Sequence, residues 1–192
     1  YVPLATTEGA LVASYNRGMR VMHESGGATV TIAHDRMQRS PAFLFASARE
    51  ARDFGLWINE NIENIRTVAQ GTTSFGMLEG ITQFAVGPNL YLRFDYTTGD
   101  AAGQNMTSKA TFAACQWITS AYPHGADFIL SGNIDTDKKH SQINTLLSRG
   151  KRVIAEVTTT AHTLQNLVGV SPKDLFRARQ VSQAGAFMAG SA

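Results

Sequence analysis

The sequence predicts an α+β protein in which a six-element sandwich is inserted into a second domain of mixed α/β type. Apolar periodicity between residues 41 and 131 gives the order β-α-β-β-α-β. The flanks, residues 1–40 and 132–192, differ in composition and carry their own strand and helix signals. With 192 residues, 43% of them hydrophobic and 17% charged, the chain has the profile of a soluble globular protein with a sizeable core.

The first half of the sandwich is predicted as a strand, a helix and a strand. "PAFLFAS" (41–47) is a short apolar run typical of a strand. Ser47 and Glu50 form a capping-box pattern, after which apolar residues recur at helical spacing and predict one long amphipathic helix. These residues are Ala51, Phe54, Ile58, Ile62 and Ile65. The next strand is expected within "SFGMLEGITQFAV" (74–86).

The second half begins with the partner strand of a hairpin. "NLYLRFDY" (89–96) follows the turn signal "GPN", and its alternating apolar residues predict a strand with one buried face. A helix is expected from about Ala102 to Ala121, and "DFILSG" (127–132) predicts the last strand. This order is that of the ferredoxin-like split βαβ sandwich, so residues 41–131 are predicted to form a ferredoxin-like domain.

The flanks are predicted to form the second domain. "ATVTIA" (28–33) and "KRVIAEV" (151–157) have strand character. Ser171 as N-cap, Pro172 at the first helical position and Asp174 in the first turn predict a C-terminal helix. An inserted sandwich creates a crevice at the domain junction, where ligands commonly bind.

Composition argues against several classes of function. The 17 basic and 15 acidic residues give a formal charge of +2, and the basic residues are scattered apart from the clusters "DTDKKH" (135–140) and "RGKR" (149–152), which argues against nucleic acid as the main partner. No apolar run is long enough for a membrane segment. Cys115 is the single cysteine and lies in a helix-like context, which favours packing and a reducing, cytoplasmic location. The histidines lack metal-ligand spacing, so no metal is expected. Because the sequence starts at Tyr1 rather than at a methionine, we expect it to be a piece of a longer protein.

Three separated stretches could carry chemistry. In "PLATTEG" an apolar setting around Glu8 would raise the pKa of its carboxyl and make it a general acid. "TTGDAAGQNM" (97–106) is a glycine-rich turn entering a helix, which either receives phosphate or is only structural. "SGNIDTDKKHSQIN" (131–144) clusters two aspartates with Lys138 and Lys139, either as paired surface charges or as a buried lysine that polarises a carbonyl.

Together these stretches resemble the 3-hydroxy-3-methylglutaryl-CoA (HMG-CoA) reductase family, particularly its soluble and eukaryote-like class. The family patterns are P-[ML]-A-T-T-E-G-x-L-V-A-S-x-N-R-G, T-G-D-A-M-G-x-N-M and S-G-N-x-x-T-D-K-K-x-x-x-I-N. The chain has "PLATTEGALVASYNRG", "TGDAAGQNM" and "SGNIDTDKKHSQIN" in the same order, and "FMAGSA" near its end.

The resemblance implies a two-step reduction of the HMG-CoA thioester to mevalonate and free CoA with two NADPH. By match to the motifs, Lys138 would stabilise the oxyanion and Glu8 would protonate it at the aldehyde stage. The residues implied to hold the acyl substrate are Arg39, Ser131, Asn133, Asp137 and Lys139. Those implied to bind the cofactor on the sandwich are Ser74, Phe75, Asp100, Gly103, Gln104, Asn105 and Met106.

The resemblance also implies a larger assembly. The substrate-binding domain would be only partly present in this chain, since the family's later catalytic aspartate and histidine lie beyond "FMAGSA", and residues 1–192 alone are expected to be inactive. Active sites in the family form between subunits, so a homodimer or homotetramer is expected.

The chain departs from the family patterns at three places. Ser74 stands where an arginine usually meets the cofactor phosphate, which leaves NADH as the less favoured alternative to NADPH. His140 replaces a proline, and "VSQAGA" (181–186) lacks the usual substrate-binding lysine, for which Arg179 is a candidate substitute. Two alternatives therefore stay open: a diverged protein that binds a CoA ester or dinucleotide without reducing it, and a non-enzymatic oligomerisation module.

Overall fold

The computed structural model describes residues 1–137 and 139–190, which form seven helices and six strands. The helices are α1 (Gly9–Glu24), α2 (Ala48–Glu60), α3 (Ile62–Gln70), α4 (Gln104–Ala121), α5 (Gln142–Leu147), α6 (Ala161–Val168) and α7 (Pro172–Met188). The strands are β1 (Thr29–Arg39), β2 (Ala42–Leu44), β3 (Leu78–Val86), β4 (Asn89–Tyr96), β5 (Asp127–Ile129) and β6 (Gly150–Glu156).

The sheet has the strand order of a ferredoxin-like sandwich. Strand β2 lies between β5 and β4, and β3 pairs with the other edge of β4, all antiparallel. The order β5-β2-β4-β3 and the intervening helices confirm the predicted βαββαβ topology. Strand β1 pairs with the same edge of β4 as β2 does, because Met37–Arg39 of β1 pair with Phe94–Tyr96 of β4. Strand β6 lies next to β1 in the sheet.

Helices α2, α3 and α4 supply the core on one face of this sheet. The buried side chains include Phe43, Phe54, Ile58, Ile65, Leu92, Phe94, Tyr96, Cys115 and Ile118. Cys115 is fully buried in α4, as its apolar context predicts, and burial raises the pKa of its thiol far above the usual range. The prediction that it packs rather than reacts agrees with this position.

The prediction of one long helix after Ser47 is wrong, because the helix is interrupted at Asn61. Asn61 has a non-helical backbone (φ −107°, ψ 13°), and its amide Nδ2 donates to the Trp57 carbonyl at 2.9 Å. Asparagine side chains compete in this way with the main-chain helix ladder. The capped start is confirmed, since the Ser47 hydroxyl accepts from the Glu50 N–H at 3.2 Å.

The prediction of a single buried face on β4 is also wrong. Arg93, on the face opposite the core, is only 1% exposed, and Asp95 is buried beside it. The second face is covered by residues distant in sequence, among them Gln38 and Ser148. The alternation of apolar and charged residues along β4 cannot reveal that its second face is covered, because charged residues at alternate positions of a strand normally face solvent.

The flanks contain three helices that the sequence did not predict, namely α1, α5 and α6. The predicted strands are confirmed as parts of β1 and β6. Helix α7 begins as expected, since the Ser171 hydroxyl accepts from the Asp174 N–H at 3.1 Å and Pro172 occupies the first turn.

The described chain divides into two compact units. The sandwich unit comprises residues 32–153, and the terminal unit comprises residues 1–31 with 154–190. The sandwich unit is wider than residues 41–131, because β1 pairs with β4 and Arg93 binds the carbonyl of Ser148. In the terminal unit α1 packs against α6, and the Ser25 hydroxyl donates to Thr159 Oγ1 at 2.8 Å.

Candidate active site

The lysine loop, defined here as residues 131–144, follows the end of β5 in the sandwich unit. Two of its residues have left-handed backbones, Asn133 (φ 69°) and Thr136 (φ 57°). Asparagine tolerates this region, whereas a β-branched threonine is strained there. Lys138, the predicted oxyanion-stabilising residue, lies outside the described residues. The description of the loop therefore rests on residues 131–137 and 139–144.

Asp135 anchors the lysine loop to the sheet. It is 1% exposed and accepts a hydrogen bond from Arg39 Nη1 at 2.7 Å and from the Ser131 hydroxyl at 3.0 Å. Arg39 Nη2 also donates to Ser108 Oγ at 2.9 Å on α4. Two residues predicted to bind substrate, Arg39 and Ser131, are thus brought together through a buried carboxylate that the prediction did not place in the site.

Asp137 connects the lysine loop to the predicted cofactor residues. Its Oδ1 accepts from Gln104 Nε2 at 2.7 Å and from Arg149 Nη2 at 2.8 Å, and its Oδ2 lies 3.7 Å from Arg39 Nη1. Gln104 is the first residue of α4, and Arg149 follows the short helix α5. The carboxylate next to Lys138 in sequence is therefore held by Gln104 of the predicted cofactor turn and by Arg149, which none of the motifs predicted.

The glycine-rich turn enters α4 in a conformation that requires glycine. Gly103 has φ 77°, and a Cβ on it would lie 2.5 Å from Thr98 Cγ2. Met106, in the first turn of α4, packs against Gly76, where a Cβ would lie 2.5 Å from the methionine sulfur. The first turn of α4 contains no acidic residue of its own, and the carboxylate beside it is that of Asp137, 2.7 Å from Gln104 Nε2.

The remaining predicted cofactor and substrate residues are exposed on the loop before β3, beside Gly103 and on the lysine loop. Ser74 and Phe75 lie on the exposed loop before β3, where the Phe75 side chain is 83% exposed. Asp100 and Asn105 are exposed beside Gly103. On the lysine loop, Asn133 and Lys139 are exposed, and the Lys139 N–H donates to the Thr136 carbonyl at 3.1 Å.

A basic cavity of about 660 Å³ opens in the sandwich unit between α4 and the lysine loop. Its lining residues are Met37, Ala102, Gln104, Lys139, Asn144, Ser148, Arg149, Lys151, Arg152 and Val153. Four of the ten are cationic and none is acidic, so the cavity favours an anionic ligand. Sequence reasoning noted "RGKR" (149–152) only as a charge cluster and missed Arg149, Lys151 and Arg152.

The cations of the cavity are held by nearby acceptors. Lys151 Nζ lies 2.6 Å from Asp35 Oδ2 and donates to the Gly99 carbonyl at 3.2 Å, which ties the glycine-rich turn to β6. Burial lowers the pKa of the Arg149 guanidinium, and the charges of Asp137 and Asp135 oppose that shift. The guanidinium remains charged at neutral pH, because arginine starts from a very high pKa.

A second buried network lies beneath the cavity. Arg93 Nη1 donates to Asp95 Oδ1 at 3.2 Å, and the same oxygen accepts from Gln38 Nε2 at 2.7 Å. Arg93 Nη2 donates to the Ser148 carbonyl at 2.7 Å. Burial lowers the pKa of Arg93 and raises the pKa of Asp95, and in each case the charge of the other partner opposes the shift.

Glu8 occupies the terminal unit as the N-cap residue of α1. Its N–H donates to Thr6 Oγ1 at 3.1 Å, and its side chain is exposed and makes no capping hydrogen bond. The apolar enclosure expected around this carboxyl is therefore not formed by the described part of the chain. The physical reason is that α1 buries none of its residues, so nothing is packed over its first turn.

Two kinds of feature are absent from residues 1–137 and 139–190. Within these residues, histidine, cysteine, aspartate and glutamate side chains form no group of three or more that could hold a metal ion. Among the helices of the same residues, none is both long enough and apolar enough to cross a membrane.

Comparison with solved structures places the fold among known α+β proteins. The chain aligns with the class II 3-hydroxy-3-methylglutaryl-CoA reductase from Streptococcus pneumoniae bound to NADPH in open conformations, with a TM-score of 0.63. The alignment covers 92% of this chain and 40% of that one. Because the sequence identity is only 17%, the comparison shows similarity of fold and nothing about function.

Sequence comparison gives the family. All 192 residues match the family model described as hydroxymethylglutaryl-coenzyme A reductase. The chain is 41% identical over 174 residues to the 3-hydroxy-3-methylglutaryl-coenzyme A reductase of Pyrococcus horikoshii, covering 90% of this chain and 42% of the relative. It is 37% identical over 193 residues to reductase 1 of Gossypium hirsutum, covering 99% of this chain and 33% of the relative.

The chain belongs to the hydroxymethylglutaryl-coenzyme A reductase family, which confirms the resemblance carried by its motifs. It spans between a third and about two fifths of the length of these two relatives.

Proposed function

We propose that the protein carrying this chain is an HMG-CoA reductase, an NADP-dependent oxidoreductase that converts HMG-CoA to mevalonate and free CoA. The observation that carries the proposal is the position of Asp137, next to Lys138 in sequence. It is hydrogen bonded to Gln104 of the predicted cofactor turn and to Arg149 of the basic cavity. The predicted reducing-cofactor region and the basic cavity therefore meet at the carboxylate that precedes the predicted catalytic lysine in sequence.

The donor set fits an anionic dinucleotide. Besides Arg149, the cavity presents three cationic side chains, Lys139, Lys151 and Arg152, near the positive end of α4. Two NADPH would supply two hydrides, a four-electron reduction in which the thioester becomes first an aldehyde with release of CoA and then an alcohol. Gly103, Gln104, Asn105, Met106 and Asp100 would hold the dinucleotide, with Ser74 and Phe75 at the rim.

The side chains of the lysine loop have defined tasks in this reaction. The Lys138 ammonium would stabilise negative charge as it develops on the carbonyl oxygen. Glu8 would donate the proton that the alkoxide needs at the aldehyde stage. Arg39, Ser131, Asn133, Asp137 and Lys139 would bind the carboxylate and hydroxyl of the acyl group.

NADPH remains the proposed cofactor in preference to NADH, despite Ser74. The support is the cluster formed by Lys139, Lys151 and Arg152, because NADPH carries one more phosphate than NADH and this cluster can neutralise its added negative charge.

The proposal includes a homodimer or homotetramer with shared active sites. Helices α1 and α7 bury none of their residues, and both carry large exposed apolar side chains such as Tyr15 and Phe176. Such faces are typical of surfaces covered by other parts of an assembly.

The proposal also includes a cytoplasmic location, for which the support is the single, buried thiol of Cys115.

The test is oxidation of NADPH in the presence of HMG-CoA, measured with the protein that carries this chain at its natural length. Wild type should oxidise two NADPH per HMG-CoA. Lys138→Ala should lower kcat by about 1,000-fold, because it removes the charge that stabilises the oxyanion. Lys173→Ala, which removes an exposed lysine on α7, is the matched control and should retain wild-type activity.

Three outcomes would contradict the proposal. NADPH oxidation that does not depend on Lys138 would remove the proposed mechanism. Binding of NADPH or a CoA ester without oxidation would favour the diverged, non-reducing protein. An assembly that binds neither ligand would favour the oligomerisation module.

A further inference from the structure

Arg149 makes two directed hydrogen bonds that join the sheet to the lysine loop. Its Nη1 donates to the Gln38 main-chain carbonyl on β1 at 3.0 Å, and its Nη2 donates to Asp137 Oδ1 at 2.8 Å. The side chain is 10% exposed. A planar guanidinium held at both amino groups is restricted in position and in orientation.

The backbone immediately before Arg149 is held in an unusual conformation. Ser148 has φ 64° and ψ 161°, a region that is essentially accessible only to glycine, and its residue is 3% exposed. Its carbonyl accepts from Arg93 Nη2 at 2.7 Å. Such a conformation persists only when surrounding contacts determine it, and the buried Arg93 contact is one of them.

The same buried network fixes the other end of Arg149. Gln38, whose carbonyl accepts from Arg149, donates its side-chain amide to Asp95 at 2.7 Å. Asp95 in turn pairs with Arg93, so one network holds both the main chain before Arg149 and the acceptor of its Nη1. The Arg149 head group is therefore placed by groups on the sheet.

We propose that Arg149 is a positioning residue for Asp137 and for the backbone of the lysine loop, and that the buried Arg93–Asp95–Gln38 network sets the position of Arg149. This inference rests on the proposed reductase function. Arg149 acts on the loop through Asp137, whose N–H donates to the Asp135 carbonyl at 2.8 Å. Neither Arg93 nor Asp95 lines the cavity, so their role is to support the site rather than to bind ligand.

Loss of Arg149 leaves Asp137 with weaker restraints. Gln104 still donates to it, but the nearest remaining cation is Arg39 at 3.7 Å, which is already bonded to Asp135. Thr136 can then relax from its strained left-handed backbone and carry the following residues with it. A displacement of about 1 Å at a reacting group lowers a rate by about 100-fold.

The first experiment measures steady-state kinetics of Arg149→Met and Arg149→Lys in the protein at its natural length. Arg149→Met should lower kcat by about 100-fold and change KM for NADPH by less than about threefold, because the cofactor turn is untouched. Arg149→Lys should recover part of the rate, since one ammonium retains the charge but not the two-ended geometry. Arg52→Met removes an exposed arginine of α2 and should behave as wild type.

A rise in KM for NADPH without a fall in kcat would overturn the inference, since Arg149 would then be a binding residue. Wild-type kinetics in Arg149→Met would overturn it as well. If the wild-type protein oxidises no NADPH, the proposed function fails and the second experiment decides the positioning role alone.

The second experiment measures hydrogen exchange of the Asp137 and Lys139 amides, which donate to the carbonyls of Asp135 and Thr136. Arg149→Met should speed exchange at both by about tenfold or more, with the Leu92 amide on β4 unchanged. Asp137→Ala removes the acceptor of this contact without touching the sheet, and should also speed Lys139 exchange if Arg149→Met fails to fold. Unchanged protection of Lys139 in a folded variant would refute the positioning role.

Discussion

Replacing Ser148 with glycine should stabilise the sandwich unit, although glycine usually destabilises. The Ser148 backbone (φ 64°, ψ 161°) lies in a region that costs a non-glycine residue about 1–3 kcal/mol. Its hydroxyl is buried without a hydrogen-bond partner among the described residues, which costs about 1 kcal/mol or more. Glycine loses about 0.5–1 kcal/mol through the greater freedom of its unfolded chain. The expected net effect is a gain of about 2 kcal/mol.

The assay is native-state hydrogen exchange of the β4 amides, which report opening of the sandwich unit. A gain of about 2 kcal/mol slows exchange by about 30-fold. Ser148→Ala removes the hydroxyl but keeps the strained Cβ, so it should give a smaller gain. Ser120→Gly makes the same change in the regular helix α4 and should destabilise by about 1 kcal/mol. If Ser148→Gly is no more stable than Ser148→Ala, the backbone of Ser148 is not strained and the reasoning fails.

Three further predictions concern the sheet and the glycine turn. Arg93→Met alone leaves Asp95 buried without its cation and should lower the free energy of unfolding by about 3–5 kcal/mol in urea titrations. Because burial raises the pKa of Asp95 above its usual 3.8, the folded state binds the proton more tightly. Stability should therefore fall as pH rises from 3.8 to the folded-state pKa, and Asp95→Asn should remove this slope. Gly103→Ala should weaken NADPH binding about tenfold in calorimetry, and Thr98→Ala should restore part of it by removing the methyl group that the new Cβ meets.

The sandwich could be predicted from the sequence because its core is built from one apolar face per element. Burial of residues such as Phe54 and Ile58 on α2 follows directly from their helical spacing. Helix α1 could not be predicted in the same way, since it buries no residue and contains Gly9 and Gly18. Glycine lowers helix propensity, and this weakened the local signal for α1.

The candidate site was predictable where motifs specify it and not where distant residues complete it. Gln104 and Asp137 are in quoted motifs, and the structure joins them by a hydrogen bond of 2.7 Å. Arg149 belongs to none of these motifs, and its role depends on contacts to residues far away in sequence. The Arg93 contact to Ser148 spans 55 positions, and a strand of alternating charged and apolar residues predicts that Arg93 faces solvent.

The buried pair of Arg93 and Asp95 separates stability from catalysis in one further experiment. Replacing a buried ion pair by apolar side chains of similar volume is often neutral or stabilising, so Arg93→Met/Asp95→Leu should recover most of the stability lost in Arg93→Met. The double variant has no donor for the Ser148 carbonyl and no acceptor for the Gln38 amide, so Arg149 loses its support. It should therefore be stable and slow, with kcat lowered by about tenfold or more and KM for NADPH little changed. A stable double variant with wild-type kcat would mean that the pair serves the fold alone, and that Arg149 is placed by its own contacts.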